Sequence, residues 1–377
     1  MGFCSDFVQY IFHAKGRLVD EFGPSEFHAK RISCPTSTYL QGEYLRHEFL
    51  DDITISAIDT QRVAELNSVS ASSLPRSLPR VRNLWLPNIE QLRHDHIPAL
   101  SLMHKVLCKT RVTCTALRQY SQRNLALANT PQFQFMSHSS PDVLHDAQHV
   151  LGLARFMHLM RTTRSYNKFL HAFGKTGSKR TDQVVECWLE HPEWPALVLI
   201  GAPYAYRKNL QQAARGRKNI VQQGFVNIRA LRALQIEYGV HICSSSQEGY
   251  GHYINDARSM GSLLMTTNHP PMNEFVHADG VDGILIDHDG HPFSADYQAL
   301  HNEFKSAVDV RTTDICAAVE RVLKLSEEER ERLGAEGRRS YDQDTILMVK
   351  RMGELLEEAW KHLGADEASL KDAGRSY

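Results

Sequence analysis

The chain has 377 residues, of which 42% are hydrophobic and 23% are charged, a composition typical of a globular protein with a large core. At roughly 100–200 residues per domain, the length predicts two domains. The formal net charge of -1 provides no global field for nucleic acid or an anionic membrane, so we expect any anion binding to be local.

The seven cysteines are scattered, form no Cys-x-x-Cys pair and stand at no spacing that suits zinc. We therefore expect buried free thiols in a reducing compartment. The sequence contains no apolar run of about 18 residues that would span a membrane, and its start lacks the basic-then-apolar pattern of a signal peptide. These observations predict a cytoplasmic location.

Secondary-structure signals are sparse in the first third of the chain. Alternating and apolar runs predict strands at 53–58, 81–86 and 105–108. A Ser- and Pro-rich segment at 68–79 indicates an exposed loop, and a helix is expected at 111–120.

From about residue 167, predicted strands alternate with predicted helices, which indicates βαβ units and a parallel sheet. The last 60 residues or so are expected to be helical, with charged exposed faces. The predicted strands are 169–173, 196–201, 219–221, 240–243, 262–266 and 283–287, and the predicted helices are 181–190, 228–238 and 253–260.

The loop at 174–181 contains two glycines, three cations and several hydroxyls between a predicted strand and a predicted helix. This combination suits a phosphate group, because unpaired N–H groups and the helix dipole both favour an anion. The alternative is a solvated basic loop. The sequence does not indicate a P-loop, because Phe169 stands where that motif requires its first glycine.

A second loop, Glu248-Gly-Tyr-Gly251, follows the predicted strand 240–243. The two glycines allow the backbone to approach a ligand closely, and the carboxylate of Glu248 can accept hydrogen bonds from hydroxyl groups. Asp256 comes eight residues after Glu248, about two helical turns along, although it also fits a surface acid. The segment 266–274 follows the next strand and places Asn273 and Glu274 at the start of another helix.

The order strand, Ser-rich turn, Glu248-Gly-Tyr-Gly-His252, helix, strand, Thr-Thr, Pro270-Pro-Met-Asn-Glu274 resembles the donor domain of group 1 glycosyltransferases (family 4, retaining, GT-B fold). Segments 169–179 and 188–201 resemble the opening of that domain, and 86–90 with 106–111 resemble the end of the acceptor domain. The resemblance covers about residues 81–300 and is strongest over 167–287.

This resemblance implies an α/β fold of two Rossmann-like domains facing across a cleft. The expected domains are an atypical, short acceptor-side domain at 1–160, a nucleotide-sugar donor domain at 161–345, and a C-terminal helix at 346–377 that packs back on the first domain.

The resemblance also implies roles for individual residues. Glu248 and Lys179 are the implied catalytic residues, with Glu248 contacting the transferred sugar. Asp256 stands where the family usually has Glu as the ribose contact, and it is one methylene shorter. Lys179 and Lys175 would balance the phosphate charge in the role that a metal plays elsewhere, so no metal or other cofactor is expected. The remaining implied donor contacts are Gly249, Tyr250, Gly251, Asn273 and Glu274.

The acceptor side offers weaker signals. Asn88, Glu90 and Lys109 are candidates for it, and a turn with a surface lysine is the alternative. Asp287-His-Asp289 has the spacing of the metal-binding motif of the other glycosyltransferase fold, but at this place in the chain we expect a solvated turn.

The predicted function is therefore sugar transfer from a nucleoside diphosphate sugar to a hydroxyl acceptor (glycan, lipid or protein) with retention of anomeric configuration. One alternative is a catalytically silent GT-B-like protein that binds a nucleotide sugar, and another is a nucleotide-sugar epimerase. The expected partners are the donor and the acceptor, without nucleic acid or an integral membrane segment.

Overall fold

The structure, a computed structural model, describes residues 53–56, 82–87, 89, 100, 103–123, 130–289 and 307–373. These residues divide into two compact units. One unit contains the described residues before Ser139 together with those from Thr345 onward, and the other is Ser139–Asp344. The domain boundaries predicted after residues 160 and 345 stay predictions.

The first unit contains a four-stranded parallel sheet in the order β1-β2-β3-β4. The first three strands and the helix α1 after β3 confirm the elements predicted there. Strand β4 is not predicted, because Gln-Phe-Gln-Phe is a short run with only two apolar residues. The elements are β1 (Ile53–Ser56), β2 (Arg82–Trp85), β3 (Lys105–Cys108), α1 (Arg111–Arg123) and β4 (Gln132–Phe135).

The second unit contains a six-stranded sheet in the order β10-β9-β8-β5-β6-β7, and every neighbouring pair is parallel. Strands β6, β8 and β9 are buried along their whole length, as expected of strands covered on both faces. The strands are β5 (Ser165–Gly174), β6 (Leu197–Gly201), β7 (Ile220–Gly224), β8 (Tyr238–Cys243), β9 (Leu263–Thr267) and β10 (Ile284–Ile286).

Helices cover both faces of this sheet. Helices α4 and α8 pack on one face through residues such as Trp188 and Val319, and α6 packs on the other through Leu231 and Leu234. The helices are α2 (Val143–Leu151), α3 (Leu153–Thr162), α4 (Thr181–Glu190), α5 (Lys208–Ala214), α6 (Ile228–Glu237), α7 (His252–Ser259), α8 (Thr312–Leu323) and α9 (Glu327–Ala373). The architecture is that of a doubly wound α/β unit.

The predicted strands after residue 167 and the helices predicted at 181–190, 228–238 and 253–260 are present, with their ends displaced by a few residues. The helix predicted to start at Asn273 and Glu274 is wrong, because the chain forms only the four-residue 3₁₀ turn Met272–Phe275 there. Helices α2, α3 and α5 are missed by the sequence patterns. Gly152 interrupts the apolar periodicity between α2 and α3, where it adopts φ +80°, and α5 has only seven residues.

The end of α9 belongs to the first unit and supplies part of its core. Met348, Met352 and Leu355 pack there with apolar side chains of the sheet and its loops: Leu84, Leu86, Leu107 and Met136. Lys105, at the start of β3, forms an ion pair with Glu358 of the same helix. No helix among the described residues is long and apolar enough to cross a membrane.

The expectation of free thiols is wrong for four cysteines. Disulfide bonds join Cys108 to Cys114 and Cys187 to Cys316, whereas Cys243 is a buried free cysteine. Spacing could not reveal the second pair, because its members are 129 residues apart and become neighbours only when α4 packs against α8.

Candidate functional site

The strand order of the second unit reverses between β5 and β8. From β5 the chain continues outward through β6 and β7, and it then returns to β8 on the other side of β5. Ligands of doubly wound sheets bind at such a reversal, beyond the carboxyl ends of the strands. The loops that leave the sheet there, 175–180 after β5 and 244–251 after β8, are the two loops that the sequence predicts to bind a ligand.

Lys179 and Glu248 come from these two loops and form an ion pair between Nζ and Oε1. Their side chains are 17% and 10% exposed, so the pair is largely shielded from water. The Lys179 ammonium also lies 3.7 Å from the centroid of the Tyr253 ring, a distance at which the ring quadrupole attracts a cation. The structure thus brings together the two residues predicted to be catalytic.

A chain of hydrogen bonds leads to Glu248 from the start of α7. Ser245 Oγ lies 2.5 Å from Glu248 Oε1 and 2.5 Å from the Tyr253 hydroxyl. Because a carboxylate only accepts, Ser245 donates to Glu248 and Tyr253 donates to Ser245. Burial raises the pKa of Tyr253 well above its usual value, so its hydroxyl keeps the proton that it donates. The sequence shows a Ser-rich turn here, but no sequence pattern indicates a role for Ser245 or Tyr253.

Ser245 is itself held by the neighbouring strand. Thr267, the last residue of β9, donates from Oγ1 to the Ser245 carbonyl oxygen at 2.6 Å. Ser245 and Thr267 are fully buried, so leaving either of these hydrogen bonds unmade would be costly. The position of Glu248 is therefore determined by β8, β9 and α7 together.

His171 lies on β5 and links β8 to the start of α4. Its Nδ1 donates to the Ile242 carbonyl oxygen at 2.9 Å, and its Nε2, 3.0 Å from Thr181 Oγ1, accepts from that hydroxyl. Burial lowers the pKa of His171 to about 4, so the ring is neutral near pH 7 and its tautomer is defined by these partners. His171 joins β5, β8 and the start of α4, and the sequence patterns give it no role.

The three cations of the basic loop have different partners. Arg180 has a left-handed backbone with φ 57°, which costs a non-glycine residue about 1–2 kcal/mol. Its guanidinium donates to the Val310 carbonyl oxygen at 2.8 and 2.9 Å and to Asp309 at 2.5 Å, so it anchors the segment before α8. Lys175 is exposed, and its ammonium lies 5.6 Å from the centroid of the Phe225 ring. Of the three cations in this loop, Lys179 is the one that pairs with Glu248.

The glycines of the Glu248 loop shape the start of α7. Gly251 has φ +96°, and a Cβ there would lie 2.8 Å from Ile254 Cδ1, so the position favours glycine. Tyr250 is only 3% exposed, and its ring packs edge-on against Phe275 with centroids 5.2 Å apart. Asn255 Nδ2 donates to the Tyr250 hydroxyl, and burial raises the pKa of Tyr250 well above its usual value. The side chain of Tyr250 thus belongs to the core, so the predicted contact with the donor would be made by its backbone.

Asp256 lies two turns into α7 and is half-buried. Its Oδ2 accepts a long hydrogen bond of 3.4 Å from Gln235 Nε2. Asn273 Nδ2 donates to Asn268 Oδ1 at 3.2 Å, and Glu274 stands in the short 3₁₀ turn Met272–Phe275 after β9. Their roles as donor contacts stay predictions.

On the acceptor side, Asn88 and Glu90 lie outside the described residues. Lys109 follows β3 and is 5% exposed, so it is not the surface lysine of the alternative interpretation. Asp287 accepts from Asn268 Nδ2 at 2.8 Å, whereas Asp289 pairs with Arg311 at 2.5 Å. The two acids of the Asp-His-Asp segment therefore have separate partners.

No family model matches the sequence, and no curated protein does. The fold, however, is similar to that of solved glycosyltransferases. A glycosyltransferase from Rickettsia africae ESF-5 superimposes with a TM-score of 0.56 at 11% identity, over 82% of this chain and 77% of that one. Sucrose-phosphate synthase from Thermosynechococcus elongatus gives a TM-score of 0.57 at 12% identity, over 82% and 74%.

Anabaena Alr3699/HepE, solved in complex with UDP and glucose, gives a TM-score of 0.53 at 13% identity, over 81% of this chain and 78% of that one. Identities this low establish the fold alone. The chain has the α/β architecture of the GT-B glycosyltransferase structures, with parallel Rossmann-like sheets in both units.

Proposed function

We propose that this protein transfers a sugar from a nucleoside diphosphate sugar to a hydroxyl acceptor with retention of anomeric configuration. The observation that carries the proposal is the Lys179–Glu248 pair at the strand reversal of a GT-B fold. A sugar offers hydroxyl donors to a carboxylate, and a diphosphate requires a cation, so the pair matches the two halves of such a donor. The UDP and glucose in the Anabaena structure belong to a protein of similar fold, which supports the same ligand class here.

Lys179 has the chemistry needed at the leaving group. When the bond between the anomeric carbon and the diphosphate oxygen breaks, negative charge grows on that oxygen, and a preorganised ammonium stabilises it. Glu248 and the Tyr253 ring already hold Lys179 in place, so little reorganisation is required. We propose that transfer therefore needs no metal ion, and a transfer rate that a chelator leaves unchanged is the expected result.

Glu248 would hold the sugar while the acceptor hydroxyl attacks. Retention of configuration rests on the resemblance to group 1 enzymes, and the anomeric signals of the product in NMR test it. A product of inverted configuration would contradict that part of the proposal and leave the donor site intact.

The central experiment is a screen of UDP-, GDP- and ADP-sugars for thermal stabilisation, since a ligand that binds only the folded state raises the free energy of unfolding. A stabilising donor is then incubated with candidate hydroxyl acceptors, and release of the nucleoside diphosphate is measured. We expect stabilisation by one nucleotide class and release that depends on the acceptor. If no nucleotide sugar stabilises the protein, the proposal fails.

Asp256 favours one alternative, a GT-B-like protein that binds a nucleotide sugar without turnover. Its carboxylate is one methylene shorter than the Glu expected there, and Gln235 already binds it. Donor binding without transfer and without slow donor hydrolysis would favour this alternative. Analysis of the sugar after incubation without an acceptor would reveal an epimerase in the same experiment.

A further inference from the structure

A second cluster of reactive side chains lies at the far end of α4 from Lys179. Glu190, His191 and Cys316 each offer one possible metal ligand, and these ligand atoms all lie within 4.8 Å of one another. Within the described residues, no other group of three or more His, Cys, Asp or Glu side chains meets in this way. Because α4 has ten residues, the cluster stands about 15 Å along the helix from the candidate donor site.

A further sulfur, outside this group of three, is bonded to Cys316. The sulfur of Cys316 is bonded to that of Cys187, one turn before Glu190 on α4. The two sulfurs, one imidazole nitrogen and one carboxylate oxygen form a donor set suited to tetrahedral Zn²⁺. In the disulfide state, the sulfurs have no thiolate charge to offer a metal ion.

We propose that reduction of the Cys187–Cys316 disulfide creates a zinc site with Cys187, Cys316, His191 and Glu190 as its ligands. The disulfide and the zinc complex are two mutually exclusive ways of joining α4 to α8. This site is separate from the proposed transfer reaction and does not depend on it.

The imidazole of His191 has a carboxylate partner on one ring nitrogen. Its Nδ1 lies 3.1 Å from Glu193 Oε1, and since a carboxylate accepts, Nδ1 has the hydrogen and Nε2 has the lone pair. A carboxylate that holds the second ring nitrogen in this way is typical of zinc-bound histidines. The ring also stacks on Trp194, with centroids 4.1 Å apart and an interplanar angle of 6°, which restricts its orientation.

The backbone of the His191 turn is also held. Asn219 Nδ2 donates to the His191 carbonyl oxygen at 3.1 Å, and the Trp194 N–H donates to the same oxygen at 3.1 Å. The cluster therefore consists of helix and turn residues with defined positions.

The helices stay together without the sulfur–sulfur bond. Thr312 Oγ1 donates to Glu186 Oε2 at 2.6 Å, which joins α8 to α4 by a second contact. Buried side chains of the two helices, among them Trp188, Ile315 and Val319, share one core. Reduction would thus leave both sulfurs facing each other, while the exposed Glu190 and the partly exposed His191 give the metal a path from solvent.

The chemistry balances with one reductant. A dithiol gives two electrons and two protons to the disulfide and becomes a disulfide itself, and Cys187 and Cys316 become thiols. Zn²⁺ then displaces one proton from each thiol and forms two bonds to sulfur, one to the His191 nitrogen and one to the Glu190 oxygen. A reducing cytoplasm, the location predicted from the sequence, would supply such dithiols.

The test uses the full-length chain, reduced with a dithiol that is then removed without oxygen. Zn²⁺ is titrated in competition with a chromogenic chelator, and Co²⁺ reports thiolate ligands through its charge-transfer absorption. We expect the reduced protein to bind one Zn²⁺ at this site and the oxidised protein to bind none there. The double variant Cys187→Ser/Cys316→Ser should lose that Zn²⁺ and its Co²⁺ absorption.

The matched control is Cys108→Ser/Cys114→Ser, which removes the other described disulfide and should leave the binding unchanged. His191→Gln retains both site cysteines and should weaken Zn²⁺ binding at least tenfold, so it decides the question if the double variant does not fold. Equal Zn²⁺ binding in wild type, the Cys187/Cys316 variant and His191→Gln would overturn the proposal. So would a disulfide whose reduction unfolds the protein, or a folded, reduced protein that binds no Zn²⁺.

Discussion

The carboxyl ends of the two parallel sheets carry different polar chemistry. In the second unit, His171 donates to the Ile242 carbonyl oxygen and Thr267 donates to the Ser245 carbonyl oxygen, and these bonds join elements 71 and 22 residues apart in sequence. In the first unit, Thr110 and Thr113 follow β3 and bind each other through their hydroxyls at 2.7 Å, at the start of α1. The difference teaches that bonds between distant elements hold the loops of the second unit in a defined arrangement, whereas the Thr110–Thr113 contact caps a single helix.

The two units also offer matched ion pairs. Lys105–Glu358 in the first unit and Lys179–Glu248 in the second both join a partly buried lysine to a glutamate distant in sequence. The lysines are similarly exposed, at 12% and 17%, whereas Glu358 is 39% exposed and Glu248 is 10% exposed. Of the two pairs, the second lies at the strand reversal between two loops. Substitutions in the first pair therefore separate a functional effect from the general cost of breaking such a pair.

The largest effect is expected from Glu248→Gln. The amide retains an acceptor for Ser245 but loses the charge, so we expect the transfer rate to fall by about 10²–10³-fold, the scale of removing one preorganised electrostatic contact. The measurement is kcat with the donor found in the screen. Glu358→Gln removes the equivalent charge from the first unit and should leave kcat near that of wild type. Full activity in a folded Glu248→Gln protein would contradict the site assignment.

The buried His171 should make the stability of the second unit depend on pH. Its pKa in the folded protein is about 4, below the value near 6.5 expected in the unfolded chain, so the unfolded state binds more protons between these values. The contribution of the neutral His171 ring to the free energy of unfolding is therefore complete above about pH 6.5 and is lost as the pH falls toward 4. Its upper limit is about 3 kcal/mol.

We expect His171→Gln to flatten this pH dependence in urea unfolding measured from pH 7 to 4. Buried His241, whose pKa is also about 4, should leave a residual slope. Hydrogen exchange at acidic pH should show β5 and β8 losing protection earlier in wild type than in the variant. Identical slopes for the two proteins would show that His171 is not the responsible group.

Sequence reasoning recovered the strand–helix alternation because each buried parallel strand is a local apolar run. It also selected Glu248 and Lys179, whose predicted roles come from the resemblance to group 1 glycosyltransferases and whose loops have a local composition signal. It could not identify Tyr253 or His171, because their roles come from contacts between elements, such as the bond from His171 to Ile242, 71 residues away. The side chain of Tyr250 was equally unpredictable, because a Gly-x-Gly pattern does not show whether the middle residue faces a ligand or the core.

Lys179→Met tests the cation of the pair. It should weaken binding of a nucleoside diphosphate by about 1.5–3 kcal/mol, the scale of a hydrogen bond to a charged group, which calorimetry measures directly. Lys105→Met is the matched control in the first unit and should leave the affinity unchanged. If both variants bind equally well, the basic loop is solvated surface and the difference between the two ion pairs has no functional meaning.

The smallest effect on activity is expected from Ser245→Ala. Comparison with Ser244→Ala separates the role of Ser245 in positioning Glu248 from the general cost of removing a buried serine hydroxyl. Both serines are fully buried, but Ser244 donates to the Lys179 carbonyl oxygen at 3.0 Å, whereas Ser245 donates to the Glu248 carboxylate. Ser244→Ala loses one hydrogen bond worth about 0.5–1.5 kcal/mol, whereas Ser245→Ala loses two, one of them to a charged group, so its free energy of unfolding should fall further. Only Ser245→Ala should lower kcat, by about 3–10-fold with KM nearly unchanged, because the hydroxyl acts through Glu248 and not on the bound donor. Equal kcat values in the two variants would mean that the chain from Tyr253 through Ser245 stabilises the loop without orienting the carboxylate.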